Sequence, residues 1–305
     1  MGIKPEYVKN IVRDFKITLA GLYPQKEIMS ILYFLFEEYI NWPKSEVHMA
    51  FDRQLEPPVA ERFRAALVML CKGKPVQYIL HKAFFNELTL KVTPDVLIPR
   101  PETEELSRFI QSDNIQDQYL DFSILDIGTG SGCIAIDLKK KFPYSKVTGI
   151  DNSERALSIA EENAQHTGLA IRLIHSDILN PEGWERLGYY DLIVSNPPYI
   201  REHEKKVMHR NVVMFEPSGA LFVPDDKPLL YYEAIGRFAA EHLIRPGNLY
   251  VEINESFGKE VMSVFSGLGF TKIELIQDLS GKDRFVKALA KPVIRETSYW
   301  YADKP

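Results

Sequence analysis

The chain lacks three features that would each define a class of protein. It has only two cysteines in 305 residues, Cys71 and Cys133, too few for a disulfide framework or a cysteine-rich zinc site. We expect both thiols to be small buried side chains in a reducing compartment. The longest apolar run, residues 28–36, is shorter than the roughly 20 residues that span a bilayer. Basic charge is not in excess, since 37 basic and 42 acidic residues give a net charge of −5. These absences argue against a membrane protein and against a long nucleic acid as the main partner.

The sequence does show a change of pattern along the chain. Apolar residues at helical spacing predict a small helical bundle over residues 1–75, and β-prone residues then predict a β-hairpin linker over residues 76–97. From residue 98 to residue 305, strand-like and helical segments alternate, which is typical of a Rossmann-like α/β domain with a mostly parallel sheet. Near the end, two strand-like segments are separated only by a turn at Ser280 and Gly281, which predicts an antiparallel terminal strand.

A glycine-rich loop connects a strand-like segment to a helix in this α/β part. It consists of Gly128, Thr129, Gly130, Ser131 and Gly132. Glycines allow a sharp turn and close approach of a ligand, and the helix N-terminus offers free N–H groups. Asp151 follows about 20 residues later, where a carboxylate can accept hydrogen bonds from both ribose hydroxyls of an adenosine. The pattern predicts a nucleoside cofactor site; a tight turn followed by a helix cap is the alternative.

The surroundings of this loop favour S-adenosylmethionine over a dinucleotide as the cofactor. A dinucleotide fingerprint would have its third glycine where Cys133 stands. The antiparallel terminal strand also favours a class I methyltransferase sheet over a dehydrogenase. We expect Asp177, which follows the third strand, to bond the adenine amino group; the alternative is that it caps a helix or a turn.

A second motif follows a β-rich apolar strand and is the candidate catalytic and substrate-binding site: Asn196, Pro197, Pro198 and Tyr199. The prolines fix the backbone and donate no hydrogen bonds, so the neighbouring carbonyls are held as acceptors. The Asn196 side-chain oxygen is a further acceptor, and Tyr199 offers a flat face. A planar NH2 group could donate one proton to each acceptor while it faces an activated methyl group. The alternative is a rigid turn without chemistry.

Such an arrangement suits methylation of an amide or amino nitrogen. Hydrogen bonds accepted from both N–H groups draw electron density onto the nitrogen and stabilise the positive charge that develops there. The sulfonium supplies the electrophile, so the protein provides position and electrostatics. Because the methylated nitrogen can lose its proton to water, we predict no catalytic histidine. We also predict no metal site, since no histidine stands four residues after His203 in the His203-Glu204 pair.

Several segments together resemble the protein-(glutamine-N5) methyltransferases that modify class I peptide chain release factors. The resemblance covers most of the chain. It is carried by the glycine loop, by the Asn-Pro-Pro-Tyr motif and by residues 75–79, 96–104, 216–221 and 278–284. The Asn-Pro-Pro-Tyr motif alone is shared with adenine and guanine amino-methyltransferases. The segment Ile-Pro-Arg-Pro-Glu-Thr-Glu at residues 98–104 is far more specific.

This resemblance implies methyl transfer from S-adenosylmethionine to the glutamine N5 of the Gly-Gly-Gln motif of a release factor, with S-adenosylhomocysteine as the product. The glycine loop and Asp151 would hold the cofactor, and Ile178 would line the adenine pocket. The segment from Asn196 to Tyr199, with both prolines, would clamp the glutamine, with Asn196 also next to the cofactor. The helical bundle would recognise the protein partner. The resemblance further implies a role in translation termination in a bacterial cytoplasm, and we expect a monomer.

Three further residues have roles that the sequence leaves open. His81 stands where relatives tend to have glycine. Arg100 and Thr103 either lie at the mouth of the cofactor pocket or have local structural roles. In the second case, Arg100 would pair with Glu102 or Glu104, and Thr103 would cap a helix.

Two other functions are open from the sequence. One is amino-methylation of adenine or guanine in DNA or rRNA, which would need a base extruded from its stack and placed on Tyr199. The acidic net charge counts against this function. The other is a non-catalytic S-adenosylmethionine-binding module that docks on translation factors. The intact Asn-Pro-Pro-Tyr motif counts against it, because a pure binder needs no amide acceptors beside the methyl group.

Overall fold

The computed structural model describes residues 6–117 and 120–290 of the chain. The outer ends of the two predicted domains, residues 1–5 and 291–305, lie outside the described residues. The N-terminal part contains helices around one apolar core: α1 (Val8–Leu19), α2 (Gln25–Ile40), α3 (Lys44–Met49) and α4 (Pro57–Cys71). A short antiparallel pair, β1 (Glu6–Tyr7) and β2 (Gln54–Leu55), connects the start of α1 to the segment before α4.

Prolines and aromatic side chains account for this bundle. Pro24 and Pro43 directly precede α2 and α3, and Pro57 is the first residue of α4, where its missing N–H leaves no bond unmade. Phe63 is fully buried and contacts Phe36 with 4.5 Å between ring centroids. The predicted helical bundle is therefore confirmed.

The two thiols differ in exposure. Cys133 is half-buried, but Cys71 is exposed, so the prediction of a buried side chain is wrong for Cys71. The buried face of α4 carries Phe63, Ala66 and Leu70. Cys71, the last residue of this helix, is turned away from that face because successive helical residues are about 100° apart.

The predicted linker is a short helix followed by a short hairpin. α5 (Val76–Leu80) begins after Pro75 and packs on the bundle, so the prediction of a hairpin from residue 76 is wrong for this stretch. The hairpin consists of β3 (Ala83–Phe85) and β4 (Leu88–Leu90), and it packs against the α/β domain. Five residues are too few for apolar periodicity to distinguish a helix from a strand.

We expect the substitution His81→Gly, at the end of α5, to stabilise the protein. His81 is exposed and has a φ of 54°. A left-handed backbone costs a non-glycine residue about 1–2 kcal/mol, and the larger unfolded-state entropy of glycine offsets about 0.5–1 kcal/mol of that gain. The free energy of unfolding from urea denaturation should therefore rise by about 0.5–1 kcal/mol. His81→Ala keeps the Cβ and is the control; an equal gain in that variant would contradict the backbone explanation.

The α/β domain is built on one seven-stranded sheet. Its strands are β5 (Ser123–Ile127), β6 (Lys146–Asp151), β7 (Arg172–His175), β8 (Tyr190–Ser195), β11 (Leu243–Glu252), β12 (Thr271–Gln277) and β13 (Asp283–Leu289). Their order across the sheet is β12-β13-β11-β8-β5-β6-β7. The strands from β11 to β7 in that order are parallel, whereas β13 lies antiparallel to both of its neighbours. The predicted mostly parallel sheet with an antiparallel terminal strand is confirmed.

Helices cover both faces of this sheet. One face carries α6 (Pro101–Asp113), α7 (Cys133–Lys141) and α8 (Glu154–Thr167), and the other carries α10 (Leu230–His242) and α11 (Gly258–Gly267). Alternate residues of β8 serve the two faces: Leu192 and Val194 pack toward α6 and α7, and Ile193 packs toward α10. Two short strands, β9 (Ile200–Arg201) and β10 (Phe222–Val223), flank α9 (Arg210–Phe215). In the described parts of the chain, no helix is both long enough and apolar enough to cross a membrane.

Candidate active site

The sequence-predicted site residues meet at one edge of the sheet. The strands β8, β5, β6 and β7 are neighbours and run in parallel, so their carboxyl ends lie side by side. Asn196 follows β8, the glycine loop follows β5, Asp151 ends β6 and Asp177 follows β7. After β7 the chain returns to the other side of β5, which makes a crevice at the point where the strand order reverses.

A cavity occupies this crevice and contains most of the predicted cofactor residues. It is lined by Gly128, Gly130, Asp151, Asp177, Ile178, Asn196, Pro197 and Pro198, together with residues such as Leu97, Ala220 and Tyr231 that the sequence did not indicate. Thr129, Ser131 and Gly132 are not among its lining residues. Thr129 and Ser131 are buried, and a Cβ at Gly132 would lie 3.2 Å from Ala160 on α8. These three residues therefore pack on the side of the loop that faces away from the cavity.

The loop leaves room for a ligand at its two front glycines. Gly128 and Gly130 have φ of 73° and 54°, and a Cβ built on Gly128 would meet no atom within 4 Å. Asp151 fixes the loop, because one carboxylate oxygen accepts the Gly130 N–H at 2.9 Å and the other accepts the Ser153 N–H at 2.9 Å. Burial raises the pKa of Asp151, and the backbone hydrogen bonds oppose that shift. This cradle fits a nucleoside with a hydroxylated sugar.

Asp126, two residues before Gly128, supports the glycine loop and was not predicted from the sequence. It is almost fully buried, and its Oδ2 atom accepts a hydrogen bond from Thr129 Oγ1 at 2.7 Å. Burial raises the pKa of Asp126 to about 7. A carboxylate at the end of an otherwise apolar strand was the available signal.

A second cavity adjoins the first. The two share the wall formed by Leu97, Asn196, Pro197 and Ala220. The second cavity is otherwise mainly apolar and also contacts Arg100 and Tyr199: its remaining lining residues are Ile200, Met208, Val212 and Leu221. The motif that begins at Asn196 therefore stands between two compartments, one of which carries the nucleoside cradle.

The Asn-Pro-Pro-Tyr motif is oriented by hydrogen bonds to residues that do not line either cavity. Asn196 Nδ2 donates to Thr103 Oγ1 at 2.8 Å, and Thr103 Oγ1 donates to Glu252 Oε2 at 2.8 Å. Tyr199 OH donates to the other oxygen, Glu252 Oε1, at 2.9 Å. Thr103 is thus neither at the pocket mouth nor a helix cap. The sequence signal for Glu252 was an acidic residue at the end of the apolar strand β11.

Arg100 also has a partner that the sequence did not predict. It forms an ion pair with Glu216, whose side chain is 1% exposed, and not with Glu102 or Glu104. The Glu216 carboxylate additionally accepts the Ile98 N–H at 3.2 Å. The pair joins the segment before α6 to the segment after α9, which are the two segments that contribute Leu97 and Ala220 to the shared wall.

The cavities have few side chains that could act as a catalytic acid or base or as a metal ligand. No histidine is among the residues that line either cavity in the described chain. Across residues 6–117 and 120–290, no group of three or more His, Cys, Asp or Glu side chains could hold a metal ion. Burial raises the pKa of Tyr199 well above its ordinary value, so its hydroxyl stays protonated.

The strand order, the antiparallel terminal strand and the nucleoside cradle together define a class I methyltransferase fold. Comparison with known proteins agrees with this class. Residues 107–242 match the family model "Methyltransferase small domain", and residues 17–80 match the "PrmC N-terminal domain". The catalytic domain of hMettl16, solved in complex with the MAT2A 3′UTR hairpin 6, has a similar fold, with a TM-score of 0.53 over 88% of this chain and 92% of that chain at 15% identity.

Curated relatives identify the family. The chain is 40% identical to the release factor glutamine methyltransferase of Flavobacterium psychrophilum over 281 residues, which are 92% of this chain and 98% of the relative. It is 38% identical to the enzyme of that name from Bacteroides thetaiotaomicron over 282 residues, which are 92% of this chain and 99% of the relative. The chain therefore belongs to the release factor glutamine methyltransferase family.

Proposed function

We propose that this protein transfers a methyl group from S-adenosylmethionine to the side-chain amide nitrogen, N5, of the glutamine in the Gly-Gly-Gln motif of class I peptide chain release factors. The names of the relatives support the substrate. The observation that carries the proposal is the orientation of Asn196: its NH2 group is bonded to Thr103, so its carbonyl oxygen is left to accept a hydrogen bond at the boundary of the two cavities.

The first cavity suits the cofactor. Asp151 would accept hydrogen bonds from the ribose hydroxyls, Gly128 and Gly130 would allow close approach, and Ile178 and Asp177 would meet the adenine through apolar contact and a hydrogen bond. When bound, S-adenosylmethionine supplies an electrophilic methyl group on a sulfonium. The fit rests on the open space in front of Gly128 and on the Asp151 carboxylate beside the loop.

The second cavity suits the glutamine side chain. Its apolar walls would contact the methylene groups, and the carboxamide would reach Asn196 and Pro197 at the wall shared with the first cavity. Asn196 Oδ1 and the Pro197 carbonyl would each accept one amide N–H, and no described residue donates a hydrogen bond to either oxygen. These bonds hold the nitrogen toward the methyl group and stabilise the charge that grows on it.

Proton removal needs no strong base in this scheme. The nitrogen becomes acidic once it is methylated, so water can take its proton. The absence of a catalytic histidine stays a prediction, as does the monomeric state.

We place the reaction in the bacterial cytoplasm, because the relatives are bacterial proteins named for release factors. The helical bundle would contact the body of the release factor.

The experiment uses labelled S-adenosylmethionine with a purified release factor, with the same factor carrying alanine in place of the Gly-Gly-Gln glutamine, and with DNA and rRNA. We expect label on the release factor alone, and mass spectrometry should place one methyl group on that glutamine. Label on nucleic acid would contradict the proposal in favour of amino-methylation of a base. Cofactor binding without label on any substrate would instead favour a non-catalytic module.

A further inference from the structure

Glu252 is a buried carboxylate on which two parts of the site depend. It ends β11, is 1% exposed and lies outside the residues that line either cavity. Its carboxylate accepts a hydrogen bond from the hydroxyl of Thr103 on α6 and another from the hydroxyl of Tyr199 in the Asn-Pro-Pro-Tyr motif. A buried carboxylate left without partners is costly, and here both oxygens are used.

The direction of these hydrogen bonds fixes which end of the Asn196 amide faces the cavities. A hydroxyl has one proton, and an ionised carboxylate can only accept. Thr103 therefore gives its proton to Glu252 and can offer only a lone pair to Asn196. The NH2 end of Asn196 must meet that lone pair, at the observed 2.8 Å, and the carbonyl end must face the other way. If Thr103 kept its proton for Asn196, the amide would turn over and present a donor to the substrate.

We propose that Glu252 is a positioning residue which, through Thr103, sets the orientation of the Asn196 amide so that an acceptor faces the substrate nitrogen. The inference rests on the proposed function, since a donor at that place would repel the N–H group of a carboxamide. It adds a role for a residue that does not itself line the cavities. Thr103 is the link by which the carboxylate acts on Asn196.

The charge state of Glu252 is set by its surroundings. Burial raises the pKa of Glu252 to about 7, the hydrogen bonds from Thr103 and Tyr199 and the charge of Arg284 oppose this shift, and Glu102 adds to it. Arg284 comes from β13 and is paired with Asp278. From α10, the Tyr232 hydroxyl donates to the backbone oxygen of Glu252 and not to its carboxylate.

Protonation of Glu252 would weaken the relay, which runs from Glu252 through Thr103 to Asn196. The neutral carboxyl keeps only one oxygen that purely accepts, so the hydroxyls of Thr103 and Tyr199 compete for it. The orientation of Asn196 should therefore be held most firmly above pH 7 and less firmly as the pH falls through 7. Asp126 is another buried carboxyl whose pKa is raised to about 7, so the assignment to Glu252 needs variants.

The first experiment needs no turnover. The side-chain amide signal of Asn196 is followed by NMR between pH 5.5 and 8.5 in the 15N-labelled full chain bound to S-adenosylhomocysteine, and is assigned with Asn196→Ala. We expect a shift with a midpoint near 7 in the wild type. The shift should vanish in Glu252→Gln and also in Thr103→Val, where the link is missing. An Asn196 signal at pH 8.5 that is the same in the wild type and in both variants, or a titration that persists in both variants, would overturn the inference.

The second experiment measures kinetics with a release factor. Thr103→Val should lower kcat about tenfold, the effect of one lost polar contact, with KM for S-adenosylmethionine within about twofold. Thr103→Ser keeps the hydroxyl and should restore most of kcat. Glu252→Gln should lower kcat and remove the limb of the pH profile near 7, and Glu274→Gln, an exposed glutamate on β12, is the control. Full activity of Thr103→Val would contradict the relay. If the wild type methylates no release factor, the proposed function fails, and the NMR titration still decides whether Glu252 orients Asn196.

Discussion

Asn196→Ala should lower turnover by roughly 10²–10³-fold while the affinity for the cofactor stays nearly the same. The substitution removes a preorganised acceptor that acts on the charge developing at the nitrogen, and loss of one such contact typically has this effect on kcat. The Asn196 side chain is a small part of the first cavity, whose other lining residues remain. Single-turnover methylation of a release factor measures the first quantity, and calorimetry with S-adenosylhomocysteine measures the second.

Asn180→Ala is the matched control for this variant. Asn180 is exposed and caps the short helical turn that follows, so its loss should lower stability slightly and leave turnover unchanged. If Asn196→Ala turned over within a few-fold of the wild type, the amide clamp would be wrong. If it bound the cofactor poorly, Asn196 would belong chiefly to the cofactor site.

Asp151→Ala should weaken cofactor binding by about 100-fold. The carboxylate would lose two hydrogen bonds to the ribose, at about 1.5 kcal/mol each for a charged acceptor, and tenfold in affinity corresponds to about 1.4 kcal/mol. The Gly130 N–H would also lose its partner, so the loop would be less well held. The dissociation constant of S-adenosylhomocysteine from calorimetry is the measurement.

Asp177→Ala is the comparison for Asp151→Ala. Asp177 also lines the cavity but is exposed, and its Oδ1 atom already accepts the Leu179 N–H. A hydrogen bond in water contributes less than one in a buried site, so we expect only a few-fold loss of affinity. Equal losses in the two variants would contradict the assignment of Asp151 to the ribose. The turn-capping alternative for Asp177 and its proposed contact with adenine are compatible, because the turn occupies only Oδ1.

Local sequence pattern was sufficient for the parts of the site that follow parallel strands. The loop at Gly128, the carboxylate of Asp151 and the motif at Asn196 each come directly after a strand-like segment. Parallel strands place such residues at one edge of the sheet. The fold follows from the same alternation.

The contacts behind the site could not be predicted from local pattern. Thr103 and Glu252 are 149 residues apart, and Arg100 and Glu216 are 116 apart. Their pairing depends on α6 packing across β11 and on the path of the chain after α9. A sequence pattern offers nearby partners first, which is why Glu102 and Glu104 were the predicted partners of Arg100. Thr129 and Ser131 show the same limit, since a loop motif does not tell which side chains face the ligand.

The Arg100–Glu216 pair bears on both cavities at once. It joins the segments that contribute Leu97 and Ala220 to the shared wall, and Arg100 itself lines the second cavity. Because the Glu216 side chain is 1% exposed, removal of Arg100 would leave a buried carboxylate without its ion-pair partner. A substitution at this pair should therefore disturb the two compartments together, although neither of its residues lines the first cavity.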